Sequence, residues 1–328
     1  MINRDFQLLK CRKSEEDLDL TEENAIAIGP RAFYRNRKLE TIRLPKTLSA
    51  IKAQAFSKCR HLQTVTIDSN TSIGISTTSF SDCYRLKSIE NDTRIVIIGN
   101  KAFQNCYALE KIELGNNLRR IGDDAFRNCR SLTSVSIPAE TTQLGQFLFA
   151  DCWNLKDVSL KKGITTIPKG AFRNCISLQT IQIPESVTEI SAYAYQNCAA
   201  LQHLNVPANV KKLRHVSFFG CSRLETVEVE LGCTGIGAFC FANNRSLSEV
   251  TLPHSVKHIG FAAFGLKKRE KKIRICVENE YMLRRIRRAL LFCGSFLAAE
   301  VVMTGKTIAE RKMERRRNSL EKTATHIS

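Results

Sequence analysis

Along most of the chain, apolar and polar residues recur in one fixed order. An aromatic residue stands at Phe33, Phe56, Phe80, Phe103, Phe126, Phe149, Phe172, Tyr195, Phe218, Phe241 and Phe264, every 23 residues except for one step of 24 after Phe56. Self-similarity at a fixed period marks a stack of supersecondary units and takes precedence over local structure. Three residues after the aromatic comes Cys59, Cys83, Cys106, Cys129, Cys152, Cys175, Cys198 or Cys221, replaced by Asn36 and Asn244 near the ends. Six residues after it comes a leucine, from Leu39 to Leu247, and five before it an Ile or Leu, from Ile28 to Ile259.

Between these markers the period shortens to two. Segments such as Thr41–Leu44 and Thr180–Ile183 alternate polar and apolar side chains, which predicts short strands with one buried face. Pro45, Pro138, Pro184, Pro207 and Pro253 follow at once; proline has no N–H to give to a ladder, so the strand ends there. One such turn cannot bury its apolar side, whereas stacked turns share a core. About eleven turns at a strand spacing of roughly 4.8 Å predict a rod or arc about 50 Å long.

This unit resembles the BspA-like leucine-rich repeats, with their C-x-x-L-x-x-I-x-I-P-x-x-V-x-x-I-x-x-x-A-F pattern. The stretch from Cys175 through Leu178, Ile181, Ile183, Pro184, Val187 and Ile190 to Tyr195 carries it almost whole, and the likeness covers about 25–277. The resemblance implies a repeat solenoid, a leucine-rich-repeat arc with a parallel β-sheet on its concave side, and an adhesin or protein-interaction role with neither cofactor nor catalytic residues.

Departures from the pattern subdivide the chain. A polar cap is expected over 1–24, the solenoid over 25–277, a helical C-terminal cap over 278–305 and a basic, disordered tail over 306–328. The surplus residue of the long repeat lies between Asp68 and Gly74 and predicts a bulge; Asn91 replaces a strand aliphatic. The last turn has Lys267 and Glu270 where Cys and Leu are due, yet keeps Ile273 and Ile275, so it reads as the terminal strand, with a helix from Glu278 to Met303 over the open end.

The net charge of +18 brings acidic partners into view. Much of it is concentrated in Lys267, Lys268, Arg269, Lys271 and Lys272, in Arg284, Arg285, Arg287 and Arg288, and in Arg311, Lys312, Arg315, Arg316 and Arg317. No signal-like segment opens the chain, and the apolar run 289–299 is shorter than the ~20 residues that span a bilayer. A cytoplasmic protein is therefore expected, with export by an unconventional route left open.

The thirteen cysteines read as structural thiols. Eight form one column, where neighbours lie within the Cα reach of a disulfide, but a small buried hydrophobe in a reducing compartment is the preferred reading. A ladder spreads its thiols along a line, so no metal site is expected. The six histidines are scattered and no Gly-rich phosphate loop is present, so neither catalysis nor a cofactor is expected.

Binding is the expected function. Outward strand residues ten after each aromatic form a column of Arg43, Thr66, Glu90, Glu113, Ser136, Ser159, Gln182, Asn205, Glu228 and Thr251, beside a second column eight after it. This face is hydroxyl-rich, slightly acidic and free of aromatics. The reading is a non-catalytic module that takes a protein partner on the concave sheet. The alternative is a solenoid scaffold whose basic C-terminal segment binds nucleic acid or an anionic membrane.

Overall fold

A computed structural model describes residues 7–8, 15–90, 92–265, 272–292, 294–295 and 298–303. Its strands fall into two parallel columns. The first holds the longer rungs Asp17–Asp19, Thr41–Leu44, Thr64–Ile67, Ser88–Glu90, Ser134–Ile137, Asp157–Leu160, His203–Val206, Thr226–Val229, Glu249–Thr251, Ile273–Val277 and Ala299–Met303. The second is built from short rungs, Gln7–Leu8 and then Ala27–Ile28 through His258–Ile259, the latter each ending on the Ile or Leu five before an aromatic. With about twelve turns the stack is slightly longer than the aromatic count alone predicts.

Both ends differ from expectation. The stretch 1–24 is not merely a polar cap: Gln7–Leu8 pairs with Ala27–Ile28, and Asp17–Asp19 with Thr41–Arg43, so the solenoid begins there. The expected cap over 278–305 is part helix and part strand. Helix α1, Glu280–Phe292, starts at Asn279, whose Oδ1 accepts from the Met282 N–H at 3.0 Å, and it buries Met282, Leu283, Ile286 and Leu290. The chain then returns as Ala299–Met303, which pairs in parallel with Ile273–Val277 and is the final rung among the described residues. The β-branched pair Val301-Val302 favours a strand once an open edge is beside it.

The bulge is present. Leu44 pairs with Ile67 but Ala50 with Gly74, so the surplus residue lies in the predicted interval. On the next rung Ile73 pairs with Ile95 and Gly74 with Ile97, which leaves Val96 bulged. Asn91 lies outside the described residues. The first column is also interrupted twice, because neither Lys111–Leu114 nor Thr180–Ile183 forms the expected strand. At the former the chain is drawn against the 3₁₀ turn Asp92–Arg94: a Cβ on Gly115 would collide with the Thr93 carbonyl oxygen. Nothing in the structure explains the latter. Both segments still alternate inward and outward side chains, with Ile112 and Ile183 buried.

The core is a file of rings. From Phe33 to Phe264 successive aromatics stack with centroids 4.7 to 5.9 Å apart and planes within 15°. Their backbone also couples the turns: the N–H groups of Arg31, Phe33 and Arg35 donate to Ala53, Ala55 and Ser57, and the same pattern recurs along the stack. This path needs two left-handed residues per turn, two before and two after the ring. At the latter position stand Asp82, Asn105, Asn128, Asp151, Asn174, Asn197, Gly220 and Asn243, the types that tolerate that conformation best. Several interlock: Asn128 Nδ2 donates to Asn105 Oδ1 at 2.9 Å, and Asn105 Nδ2 to Asp82 Oδ1 at 2.8 Å.

Two substitutions probe this core. Phe126→Ala removes a fully buried ring from mid-stack and is expected to cost about 3–5 kcal/mol in chemical denaturation. Among the described residues the buried Tyr195 hydroxyl has no hydrogen-bond partner, so Tyr195→Phe is expected to raise stability by roughly 1 kcal/mol in the same measurement.

Candidate functional site

The first column presents the expected grid, but only part of it reaches solvent. Arg43, Glu90, Glu113, Ser136, Ser159, Gln182 and Asn205 are exposed. Thr66, Glu228 and Thr251, expected to face outward for a partner, are buried. Side chains of one column stand only about 4.8 Å apart on neighbouring rungs, so larger neighbours shade a small one. Thr66 lies between Arg43 and Glu90 and donates its Oγ1 proton to Glu90 Oε2 at 2.9 Å. Thr251 sits between Glu228 and the buried Cys276. The continuously open area is the middle of the face. On each turn from Lys111 to Asn205 both outward residues are exposed: Lys111 and Glu113, Ser134 and Ser136, Asp157 and Ser159, Thr180 and Gln182, His203 and Asn205.

The broken ladder gives this area relief. Where Lys111–Leu114 leaves the sheet, a cleft of about 890 Å³ opens between the 3₁₀ turn and the next rung, lined by Thr93, Arg94, Lys111, Glu113, Asn116, Asn117, Ser134 and Ser136. Of the two outer basic runs, only Lys272 falls among the described residues, and it is exposed; between them Arg284, Arg287 and Arg288 are exposed on α1 and Arg285 is half-buried. Lys267, Lys268, Arg269, Lys271, Arg311, Lys312, Arg315, Arg316 and Arg317 lie outside the described residues.

The cysteine column belongs to the core, not to a reactive site. Each thiol donates to the carbonyl of the aromatic one turn back, from Cys59 Sγ to Phe33 O at 3.0 Å through Cys221 Sγ to Tyr195 O at 3.3 Å. All eight are fully buried and unbridged. Burial pushes the Cys221 and Cys240 thiols up to about 12, and Cys83, Cys129, Cys175 and Cys198 also move well upward. A thiolate is the nucleophile, so these sulfurs are inert in the folded chain. Among the described residues no three His, Cys, Asp or Glu side chains converge in a manner suited to a metal ion, and no helix there is long and apolar enough to cross a membrane.

A second surface column was not recognised in the repeat pattern. The residue four after each core ring lies on one lateral edge of the solenoid: Arg60, Tyr84, Tyr107, Arg130 and Trp153 on successive turns. They form a single stack. The Arg60 guanidinium lies 5.2 Å from the Tyr84 ring centre, Tyr84 stacks on Tyr107 at 5.0 Å, and Arg130 is held between Tyr107 at 4.8 Å and Trp153 at 4.0 Å. Reading the sequence in steps of 23 at this offset would have shown it, as it shows the core rings.

Two parallel strand columns around a file of aromatics define a leucine-rich-repeat solenoid. The sequence profile of the BspA type leucine rich repeat region, in six copies, matches residues 26–156 and 142–271, and the chain belongs to that family. Repeats of this family are generally protein-interaction modules and non-catalytic scaffolds. Among solved structures, a leucine-rich cell surface protein of Faecalibacterium prausnitzii is similar at 20% identity and TM-score 0.50, over 95% of this chain and 94% of that one. A leucine-rich repeat protein of Bacteroides ovatus is similar at 20% identity and TM-score 0.47, over 85% and 88%. The pneumococcal vaccine antigen PcpA is similar at 17% identity and TM-score 0.47, over 92% of each. No curated protein matches the chain.

The thiol column makes a pH-dependent prediction. The folded Cys83, Cys129, Cys175, Cys198 and Cys221 thiols keep their protons above 9.0, the ordinary value, so their contribution to stability is whole below that pH and is lost as pH rises past it. The denaturation midpoint is expected to fall between about pH 8.5 and 10.5. Iodoacetamide is expected to leave the column cysteines unmodified in the native chain and to label them in guanidinium, as read by mass spectrometry.

Proposed function

We propose that this chain is a non-catalytic protein-interaction module whose partner docks on the first-column face between Lys111 and Asn205. The supporting observation is the run of paired, outward, exposed polar residues on consecutive turns; beyond it Ser88 is half-buried on one side, and Thr226 is half-buried and Glu228 buried on the other. Hydroxyls and amides predominate, with single charges at Lys111, Glu113 and Asp157. That favours a partner surface that hydrogen-bonds, not one that inserts large apolar anchors. The relief at the Lys111–Asn117 cleft supplies a concave feature on this face in which a projecting side chain could seat.

The test is a pair of long, charged substitutions in the middle of the run, Ser136→Arg with Ser159→Arg, on rungs that are hydrogen-bonded neighbours. Both side chains are exposed, so the fold is expected to tolerate them. Affinity for a partner isolated with the unaltered chain is expected to weaken at least about tenfold, roughly 1.4 kcal/mol. Unchanged affinity with both arginines in place contradicts this assignment.

A further inference from the structure

We propose that the lateral edge from Arg35 to Trp153 is a second docking surface, built for an acidic protein segment. Its N-terminal end is a cleft of about 580 Å³ lined by Arg35, Arg37, Lys58, Arg60 and His61, with no acidic side chain in its wall. Among the described residues none of these four Arg and Lys side chains forms an ion pair. A cluster of like charge with no internal counterion is complementary to carboxylates, which guanidinium groups bind through paired, charge-assisted hydrogen bonds.

The backbone gives an independent reason. Two residues after each core ring the chain is left-handed, and from Asp82 to Asn243 that place is always Asp, Asn or Gly. The first two turns alone put long cations there, Arg35 at φ 57° and Lys58 at φ 65°. Neither side chain gains a hydrogen bond or ion pair among the described residues; Arg35 has only the Tyr34 ring, 5.2 Å away, and Lys58 is in no such ring contact. A local rule broken for so little structural gain is the mark of a functional position.

The stack of Tyr84, Tyr107, Arg130 and Trp153 continues from Arg60 without a break. Tyr, Trp and Arg are the residue types that anchor protein interfaces, and here they are pre-ordered by one another. Both faces of Tyr84 and Tyr107 are already covered, so outward they offer edges, not surfaces on which bases could stack. Single-stranded nucleic acid needs free ring faces, and an acidic polypeptide is the better fit. Five turns separate Arg37 from Trp153, about 24 Å, which an extended segment spans with about seven residues. This surface lies apart from the first-column face, and the two assignments stand or fall separately.

Trp153 is the one tryptophan in the chain and so reports on its own edge. The experiment titrates the full chain with an oligoglutamate of about eight residues and follows tryptophan emission. A saturable change that fades with added salt is expected. Arg35→Asn with Lys58→Asn extends the Asn/Asp ladder, so melting temperature is expected to hold or rise while affinity weakens at least about tenfold. A control of equal charge, Lys161→Asn with Lys162→Asn on an exposed turn, is expected to change affinity by less than about twofold. No saturable change, equal weakening by both pairs, the full change from inorganic phosphate alone, or tighter binding of an oligothymidylate of the same charge would each overturn the proposal.

Discussion

The structure depends on contact between one turn and the next. A 23-residue unit with two short rungs has an apolar side that it cannot close alone. Closure comes from the ring of the adjacent turn, held face to face about 5 Å away. The same joint is tied by polar bonds: thiol to carbonyl one turn back, and N–H to carbonyl one turn on. Cysteine suits the first of these because its sulfur is small and apolar enough for the core yet still donates weakly. Asn36, at the same position near the N-terminal end, turns inward instead and caps the N–H groups of Lys38 and Leu39.

Because every turn joins only its neighbours, surface residues at one offset line up in files along the stack. A file of hydroxyls and amides forms the open middle of the first-column face. A file of Arg, Tyr and Trp forms the lateral edge. Both are built from positions that the core does not constrain, which is how a repeat with one invariant interior can carry different surfaces. The turns at either end are atypical, and they too are made of strands: Asp17–Asp19 and Ala299–Met303 add rungs, while α1 lies against the closing turns and donates from Arg285 to the His254 carbonyl.

Much of the fold was legible in the sequence because one ring in 23 residues and the Cys and Leu in phase with it leave few alternatives. What was missed had a weaker or competing signal. Gln7–Leu8 and Asp17–Asp19 precede Phe33, the first ring of the file, and carry no repeat marker, so they read as a cap. Ala299–Met303 continues an apolar run that began as a helix, and only the neighbouring open rung decides in favour of a strand. Alternation fixes which way Thr180–Ile183 points its side chains but not whether its backbone joins a ladder. Likewise it predicts that Thr66 and Thr251 face out, while their burial depends on the size of neighbours one turn away. The Asn and Asp column that stabilises the left-handed corner was not read from the repeat pattern; its role appears only with the backbone angles.

The most direct test of the functional account is residue-resolved hydrogen exchange of the full chain with and without a bound protein partner. Slower exchange confined to the first-column rungs and flanking turns between Lys111 and Val206, with the turns behind the Phe file unchanged, is the result the account predicts. Slower exchange on those rear turns, or protection absent from the 111–206 rungs altogether, would contradict it.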